Sequence, residues 1–407
     1  MKTGKKNKIS LLLVRYLHSN QSIGITLLVA TALSLLLANF SFSQTWYNHF
    51  WHISFDGSAA HHTQWWWLSL PNSPSVFIND FLMAVFFFLA GIEIKREFLT
   101  GELSSVRQSL LPVMAAVGGM LVPAILFALI ARGSNFMPGW AIPTATDIAF
   151  TLGVASLLGR RVPTGLKIFI TALAIIDDLG AILVIAVFYG GQLQWMYLLG
   201  VVLITFIIHH LNRKKLAFGV IQFSLGIVLW YCMFNSGIHA TVAGVVFAML
   251  VPVSLLPKFE KAFHTPVYFI ILPIFALANT AIIFPGDPLL SLSGPLSLGI
   301  MAGLIIGKPL GIFFSCYFLI YKKWAQLPTG VNWHKLIGAG ILAGIGFTMS
   351  IFISALAFPD GAAEDIAKMS VLVASLLAMV LGYVWLRKEQ TIKQLLQGKF
   401  FLPKNKH

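Results

Sequence analysis

The sequence predicts an all-α polytopic membrane protein, and three observations carry that expectation. Of the 407 residues, 57% are hydrophobic and 10% are charged, whereas a soluble domain carries about 25% charged residues. Apolar runs of about 20 residues, long enough to cross hydrocarbon as a helix, recur along the chain. Lysines and arginines gather in alternate gaps between those runs, the asymmetry that membrane insertion imposes on loops. A water-soluble globule, a disordered chain, a fibrous repeat and a disulfide-stapled secreted domain are excluded on composition. Cys232 and Cys316 both sit inside apolar runs and read as small core hydrophobes.

Twelve spans are read in order, at 22–41, 76–98, 109–131, 141–159, 165–188, 195–211, 217–234, 238–256, 266–284, 295–320, 335–358 and 368–386. They form a single membrane domain. The N-tail, 1–21, holds Lys2, Lys5, Lys6, Lys8 and Arg15 and precedes a first helix with no small-residue cleavage site after it, so that helix reads as retained. With the N-tail inside, the inside loops hold Lys95, Arg96 and Arg107; Arg160, Arg161 and Lys167; Arg213, Lys214 and Lys215; Lys258 and Lys261; and Lys322, Lys323 and Lys335. The C-tail, 387–407, is basic and inside as well. Arg132 and Lys368 alone fall outside, and Lys308 falls in mid-span. A missed helix would scramble this alternation. The net charge of +14 is thus a matter of topology, with no nucleic-acid partner implied.

One outside loop, 42–75, is long. It has no Lys or Arg and many aromatics, among them Trp46, Trp51 and Trp65-Trp66-Trp67. Residues 52–55, Asp56-Gly57 and the run 65–69 suggest a β-hairpin around the glycine. Two readings stand for this loop: an aromatic belt at the membrane interface, or self-association through strand edges.

Most of the 14 acids lie in loops or at span ends. Asp147 in the fourth span and Asp177 and Asp178 in the fifth lie deep, as does Lys308 in the tenth. Charges at membrane depth face a bundle interior or an aqueous cavity and pair with one another. A buried ion pair that only locks helices is one reading; three acids against one base favour a removable cation or proton. Consecutive helical residues are rotated by about 100°, so one aspartate of the pair can face an ion while the other meets Lys308. With no Cys or His beside these acids, a hard cation fits better than zinc or copper.

The fourth span contains Pro143, Thr144 and Thr146 just before Asp147, the makings of a broken helix with a capped restart. The eleventh has Gly338, Gly340, Gly344 and Gly346 followed by Phe347-Thr348-Met349-Ser350. Irregular backbone at membrane depth survives only where it lines a cavity or is buried in protein. Each broken span is the second in a group of three, spans 3–5 and 10–12, and the two groups start on opposite sides. Such inverted repeats with broken helices meeting at mid-membrane form a known carrier architecture.

At this point the chain resembles the NhaA sodium–proton antiporters of bacterial inner membranes, from about residue 20 to 386. The resemblance rests on Asn79-Asp80 and the phenylalanine run after it, Gly91-Ile-Glu-Ile-Lys-Arg-Glu97, Ala145-Thr-Asp-Ile-Ala-Phe150 and Leu173-Ala-Ile-Ile-Asp-Asp-Leu-Gly180. Ser236-Gly-Ile-His-Ala-Thr241, Ile306-Gly-Lys-Pro-Leu-Gly311 and Gly344-Ile-Gly-Phe-Thr-Met-Ser-Ile-Phe352 complete it. It implies that Asp177 and Asp178 exchange Na⁺ (or Li⁺) and protons, with Asp178 the main cation ligand and Asp177 the partner of Lys308. It places Thr146 and Asp147 at the crossing of the broken helices, with Asp147 offsetting helix N-terminal dipoles and Lys308 the C-terminal ones.

The same resemblance makes Glu93, Lys95, Glu97, Glu260 and His264 a cytoplasmic pH-sensing cluster. It ties His239 to pH response. Ordinary loop charge is the competing reading for the first five, and helix-end packing for His239. The resemblance further implies no cofactor beyond the transported ions and a homodimer formed through a periplasmic loop 42–75; the distribution of Lys and Arg makes both termini cytoplasmic. A sodium-coupled symporter of an organic anion, an intramembrane aspartyl protease and a passive channel are the alternatives. The first needs a roomier polar cavity, the second two acids on separate helices, the third a repeated pore motif.

Overall fold

The computed structural model describes residues 20–57, 61–65, 68–214, 218–284, 286–359 and 361–398. The N-tail before residue 20, Trp66, Trp67, Lys215 and the end of the C-tail lie outside that set. The helices are α1 (Asn20–Asn39), α2 (Gln44–His52), α3 (Pro74–Thr100), α4 (Val106–Ile130), α5 (Ile148–Leu157), α6 (Thr164–Phe188) and α7 (Trp195–Arg213). They continue with α8 (Val220–Phe234), α9 (Val242–Leu250), α10 (Val253–Asn279), α11 (Pro295–Tyr321), α12 (Trp333–Ala343), α13 (Phe347–Ala357) and α14 (Ala362–Gly398).

Among the described residues, eight helices are singly long and apolar enough to cross a membrane. The pair α12 and α13, bent by 44°, makes a ninth span. The remaining predicted spans fall on shorter pieces. Span 141–159 is a 3₁₀ segment, Met137–Thr144, followed by α5; spans 217–234 and 238–256 are the 15-residue α8 and the 9-residue α9. The all-α polytopic fold is the one expected, with both expected interruptions present.

The connections sort into two groups, as the alternation of charge requires. Lys95 Nζ donates to the carbonyls of Met249 and Val251, both at 2.6 Å, and Arg96 reaches Glu260 at 3.0 Å. This joins two loops expected on the inside. At the other end, Gly191 and Gln194 donate backbone N–H groups to Gly237 (2.7 Å) and Ser236 (2.8 Å), and Tyr189 Oη donates to Pro138 O at 2.6 Å. All these segments belong to loops expected on the outside.

Three sequence expectations require correction. First, residues 44–52 are helical. The strands are β1 (His62–Trp65) and β2 (Leu68–Pro71), paired antiparallel from His62↔Pro71 to Trp65↔Leu68. Gly57 takes a positive φ of 76° but lies ahead of the hairpin. Ser43, Tyr47 and Trp51 are buried at four-residue spacing, a helical period that overrides the short alternation at 52–55. Second, Lys258 and Lys261 lie within helix α10. Pro257 stands in the first turn of the α-helical part, which begins at Leu256 after a 3₁₀ turn, Val253–Leu255, and its missing N–H costs nothing there, so the helix starts earlier than the apolar run.

Third, Asp80, not counted among the buried acids, is 3% exposed near the start of α3. It sits in a π-helical turn, Ile78–Leu82, inside α3; the extra residue in that turn rotates the helix face that follows.

Candidate functional site

The centre of the molecule is built from the two interruptions. Pro143 lies in the 3₁₀ turn that ends at Thr144, Ala145 is extended (φ −82°, ψ 154°), and Asp147 caps α5 in an extended conformation. On the other side, α12 ends at Ala343 and α13 restarts at Phe347. The freed backbone groups of each interruption are satisfied by the other. Asp147 N–H donates to Ile345 O at 2.7 Å, Thr146 Oγ1 to Ala343 O at 2.9 Å, Thr151 Oγ1 to Leu342 O at 3.1 Å and Ser350 Oγ to Ile142 O at 2.7 Å. A buried backbone group without a partner costs free energy comparable to a lost hydrogen bond, so the crossing holds because each break completes the other.

Asp147 serves both helix starts. Its Oδ1 accepts Phe150 N–H at 3.0 Å at the N-terminus of α5. Its Oδ2 accepts Thr348 N–H at 3.1 Å and the Thr348 hydroxyl at the N-terminus of α13. A carboxylate here faces the positive ends of two helix dipoles. Lys308 Nζ donates to Thr144 O at 2.6 Å, at the C-terminal end of the 3₁₀ segment. The two charges thus take opposite ends of the broken backbone.

Lys308 is completely buried and also meets Asp177 Oδ2 at 3.0 Å. The same oxygen lies 2.7 Å from Thr146 Oγ1, within hydrogen-bond distance. A π-helical turn, Gly303–Gly307, precedes Lys308 on α11. Close packing against α4 delivers the lysine: a Cβ on Gly311 would come within 2.1 Å of Gly118 O, so these helices touch backbone to backbone, as small residues allow in a membrane.

Asp178 is 5% exposed and points elsewhere. Its Oδ1, and the Oδ1 of Asp177, are buried without a hydrogen-bond partner. Glu93 on α3 and Asp147 lie within electrostatic reach of Asp178. Two neighbouring carboxylates therefore each leave one oxygen unsatisfied inside a bundle, the donor chemistry of a hard monovalent cation and equally that of a proton. Lys308 and Thr146 hold the other oxygen of Asp177, and Asp147 is committed to helix ends.

The remaining candidates form two groups toward the ends of the bundle, the first of them reaching the centre through Glu93. Arg96 bridges Glu97 (2.9 Å) and Glu260 (3.0 Å), and Glu93 lies within electrostatic reach of all three. Lys95 binds carbonyls instead, and the His264 ring lies 4.7 Å from that of Tyr268. His239 is at the opposite end of the molecule from this group, with Nε2 at 3.6 Å from Asp80 Oδ1 and Nδ1 at 2.9 Å from Thr241 Oγ1. His61 Nε2 stands at 3.4 Å from the other Asp80 oxygen.

Sequence reasoning passed over Asp80, His61, Arg96 and Thr348 as site residues. Asp80, Arg96 and Thr348 all stood inside quoted motifs, Thr348 two residues after the last glycine of the break. Nothing local marks His61, which arrives from the hairpin.

The profile of the family described as Na⁺/H⁺ antiporter 1 matches residues 14–386. The chain is 42% identical over 398 residues to a protein of Cytophaga hutchinsonii named Na(+)/H(+) antiporter NhaA, covering 96% of this chain and 98% of that one. It is 45% identical over 383 residues to the protein of that name in Pectobacterium atrosepticum, covering 92% and 96%. With Na(+)/H(+) antiporter NhaA 2 of Flavobacterium johnsoniae it shares 45% identity over 389 residues, 93% of each chain. On its sequence and on the paired breaks at its centre, this chain belongs to the Na⁺/H⁺ antiporter 1 family, whose members are secondary transporters and not enzymes.

Proposed function

We propose that the protein exchanges Na⁺ (or Li⁺) for H⁺, exporting the metal ion as protons enter across a bacterial inner membrane with both termini cytoplasmic. The observation that supports this most is the pair of unsatisfied oxygens on Asp177 and Asp178. Asp178 is the main cation ligand, and Asp177 shares the ion while held by Lys308 and Thr146. Protons and Na⁺ compete for one set of oxygens, and that competition couples the two flows, because a ligand shifts only an equilibrium in which it has differential affinity. With two carboxylates at the site, more than one proton can be exchanged for each Na⁺, which makes the cycle electrogenic.

Access alternates as the crossed pair and its neighbours rock against the rest of the bundle. Arg96 with Glu97, Glu260 and Glu93 forms a cytoplasmic pH-responsive cluster, with Lys95 and His264 at its edges, and His239 does the same at the periplasmic face. A homodimer forms through 42–75, where the two-stranded sheet of β1 and β2 offers its edges to a second copy. The sidedness rests on the distribution of Lys and Arg.

The test is Na⁺-induced collapse of a pH gradient in everted vesicles carrying Asp178→Asn or Asp177→Asn. Both variants are expected to lose it; retained collapse in either overturns the assignment. Na⁺ flux that requires an added organic solute favours the symporter instead.

A further inference from the structure

We propose that the outward face of α2 lies in the bilayer itself, seated at the boundary of phospholipid headgroups and acyl chains as an interfacial anchor. The inference rests on the membrane setting and is independent of the exchange reaction. Helix α2 is two-faced. Ser43, Tyr47 and Trp51 are buried against the protein, with Tyr47 Oη at 3.0 Å from Ser34 Oγ and at 2.9 Å from Leu277 O. On the opposite side Trp46 and Phe50 are 53% and 51% exposed, and Phe42 in the preceding turn is 87% exposed. These rings and Thr45, His49 and Ile53 line a shallow hollow.

The occupant follows from continuity and charge. Leu33 and Leu36 are exposed on α1, a spanning helix, and Phe40 carries the same surface around the turn into Phe42, Trp46 and Phe50. The lipid-facing stripe of the span therefore runs through the turn into α2, and its exposed rings are interspersed with Ser41, Thr45 and His49, the mix of apolar and polar groups that suits the headgroup boundary. Only four residues, 40–43, separate α1 from α2, which keeps α2 at the level where the hydrocarbon ends. Residues 42–75 contain no Lys or Arg, so headgroup charge cannot supply the attraction. Aromatic rings partitioning at the interface can. The proposed dimer contact is then left to β1 and β2, and α2 fixes their height above the membrane.

The test uses the full chain in phosphatidylcholine proteoliposomes. The difference in emission between the unaltered protein and Trp46→Phe isolates Trp46 from the other ten of the eleven tryptophans. That component is expected to be quenched about twofold more by lipids brominated near the carbonyl end of the acyl chain than by lipids brominated near its methyl end, since interfacial helices sit about 5–10 Å deep. Iodide in the water should leave it unchanged. Strong quenching by iodide puts the face in solvent and overturns the proposal. Protection from both iodide and bromine means that a second copy covers it, which also overturns it, as does any requirement for anionic lipid. Should Trp46→Phe fail to insert, Phe50→Cys in a Cys232→Ala background, carrying a nitroxide, gives the same answer. Collisions with oxygen exceeding those with a water-soluble nickel complex support the proposal, and the reverse order overturns it.

Discussion

Asp177 and Lys308 show how a membrane interior tolerates charge. Each is buried, and they meet at 3.0 Å; removal of one leaves the other uncompensated, a loss of about 3–5 kcal/mol. Lys308→Met is therefore expected to lower the melting temperature of the purified protein sharply. Asp177→Asn combined with Lys308→Met should recover most of that loss, because replacing both partners is nearly neutral, yet transport should stay absent. A double variant no more stable than Lys308→Met would remove the ion pair from the account. Thr146 gives a gentler probe. Its hydroxyl lies within hydrogen-bond distance of both Asp177 Oδ2 (2.7 Å) and Ala343 O (2.9 Å). Thr146→Val should raise the KM for Na⁺ by about tenfold, in keeping with a lost hydrogen bond of about 1 kcal/mol or more; Thr146→Ser should restore it. An unchanged KM would leave Thr146 no part in placing Asp177.

At the scale of elements, two interrupted helices do what two continuous ones could not. They bring carbonyls, N–H groups and hydroxyls to the middle of an apolar bundle, and Asp147 and Lys308 balance the exposed ends. Lys308 reaches that point only because α11 lies directly on α4. Gly311→Ala would set a methyl group 2.1 Å from Gly118 O, so the helices must separate. Overpacking of this kind costs about 1–3 kcal/mol. The expected result is a lower melting temperature together with weaker Na⁺ affinity, as the lysine withdraws from Asp177. Loss of stability with unaltered affinity would show that this helix contact does not place Lys308.

The whole molecule is a competition between two ions for one site, and its pH dependence follows in sign. In acid, protons occupy the carboxylates and exchange stops; as pH rises, Na⁺ takes their place and exchange begins. More Na⁺ must therefore move the onset to lower pH. By linkage, a tenfold rise in Na⁺ shifts the midpoint by about half a pH unit if one Na⁺ displaces two protons, and by about one unit if it displaces a single proton. Rates measured over pH at two Na⁺ concentrations decide between these, and the proposed electrogenic cycle requires the smaller shift. A midpoint that ignores Na⁺ would move control away from Asp177 and Asp178 to the charged ends of the bundle, where Arg96 meets Glu97 and Glu260 and where Asp80 meets His61 and His239.

Apolar run length and the placement of lysine and arginine determined the membrane class, the spanning segments and the alternation of loops, because insertion energetics act on local stretches of chain. Composition at depth singled out Asp147, Asp177, Asp178 and Lys308, and Pro143 and the glycines before Phe347 marked both breaks. What faces what was decided only by tertiary structure. That Asp177 takes Lys308 while Asp178 keeps a free oxygen, that Asp147 turns to Thr348, and that His61 reaches Asp80 all depend on contacts between residues well apart in the sequence, 201 positions apart for Asp147 and Thr348. Local periodicity reports burial but carries no such pairing. The same reason moved the hairpin: burial of Tyr47 against α1 and α10, with Trp51 buried one turn on, made a helix of residues whose neighbours in sequence suggested a strand.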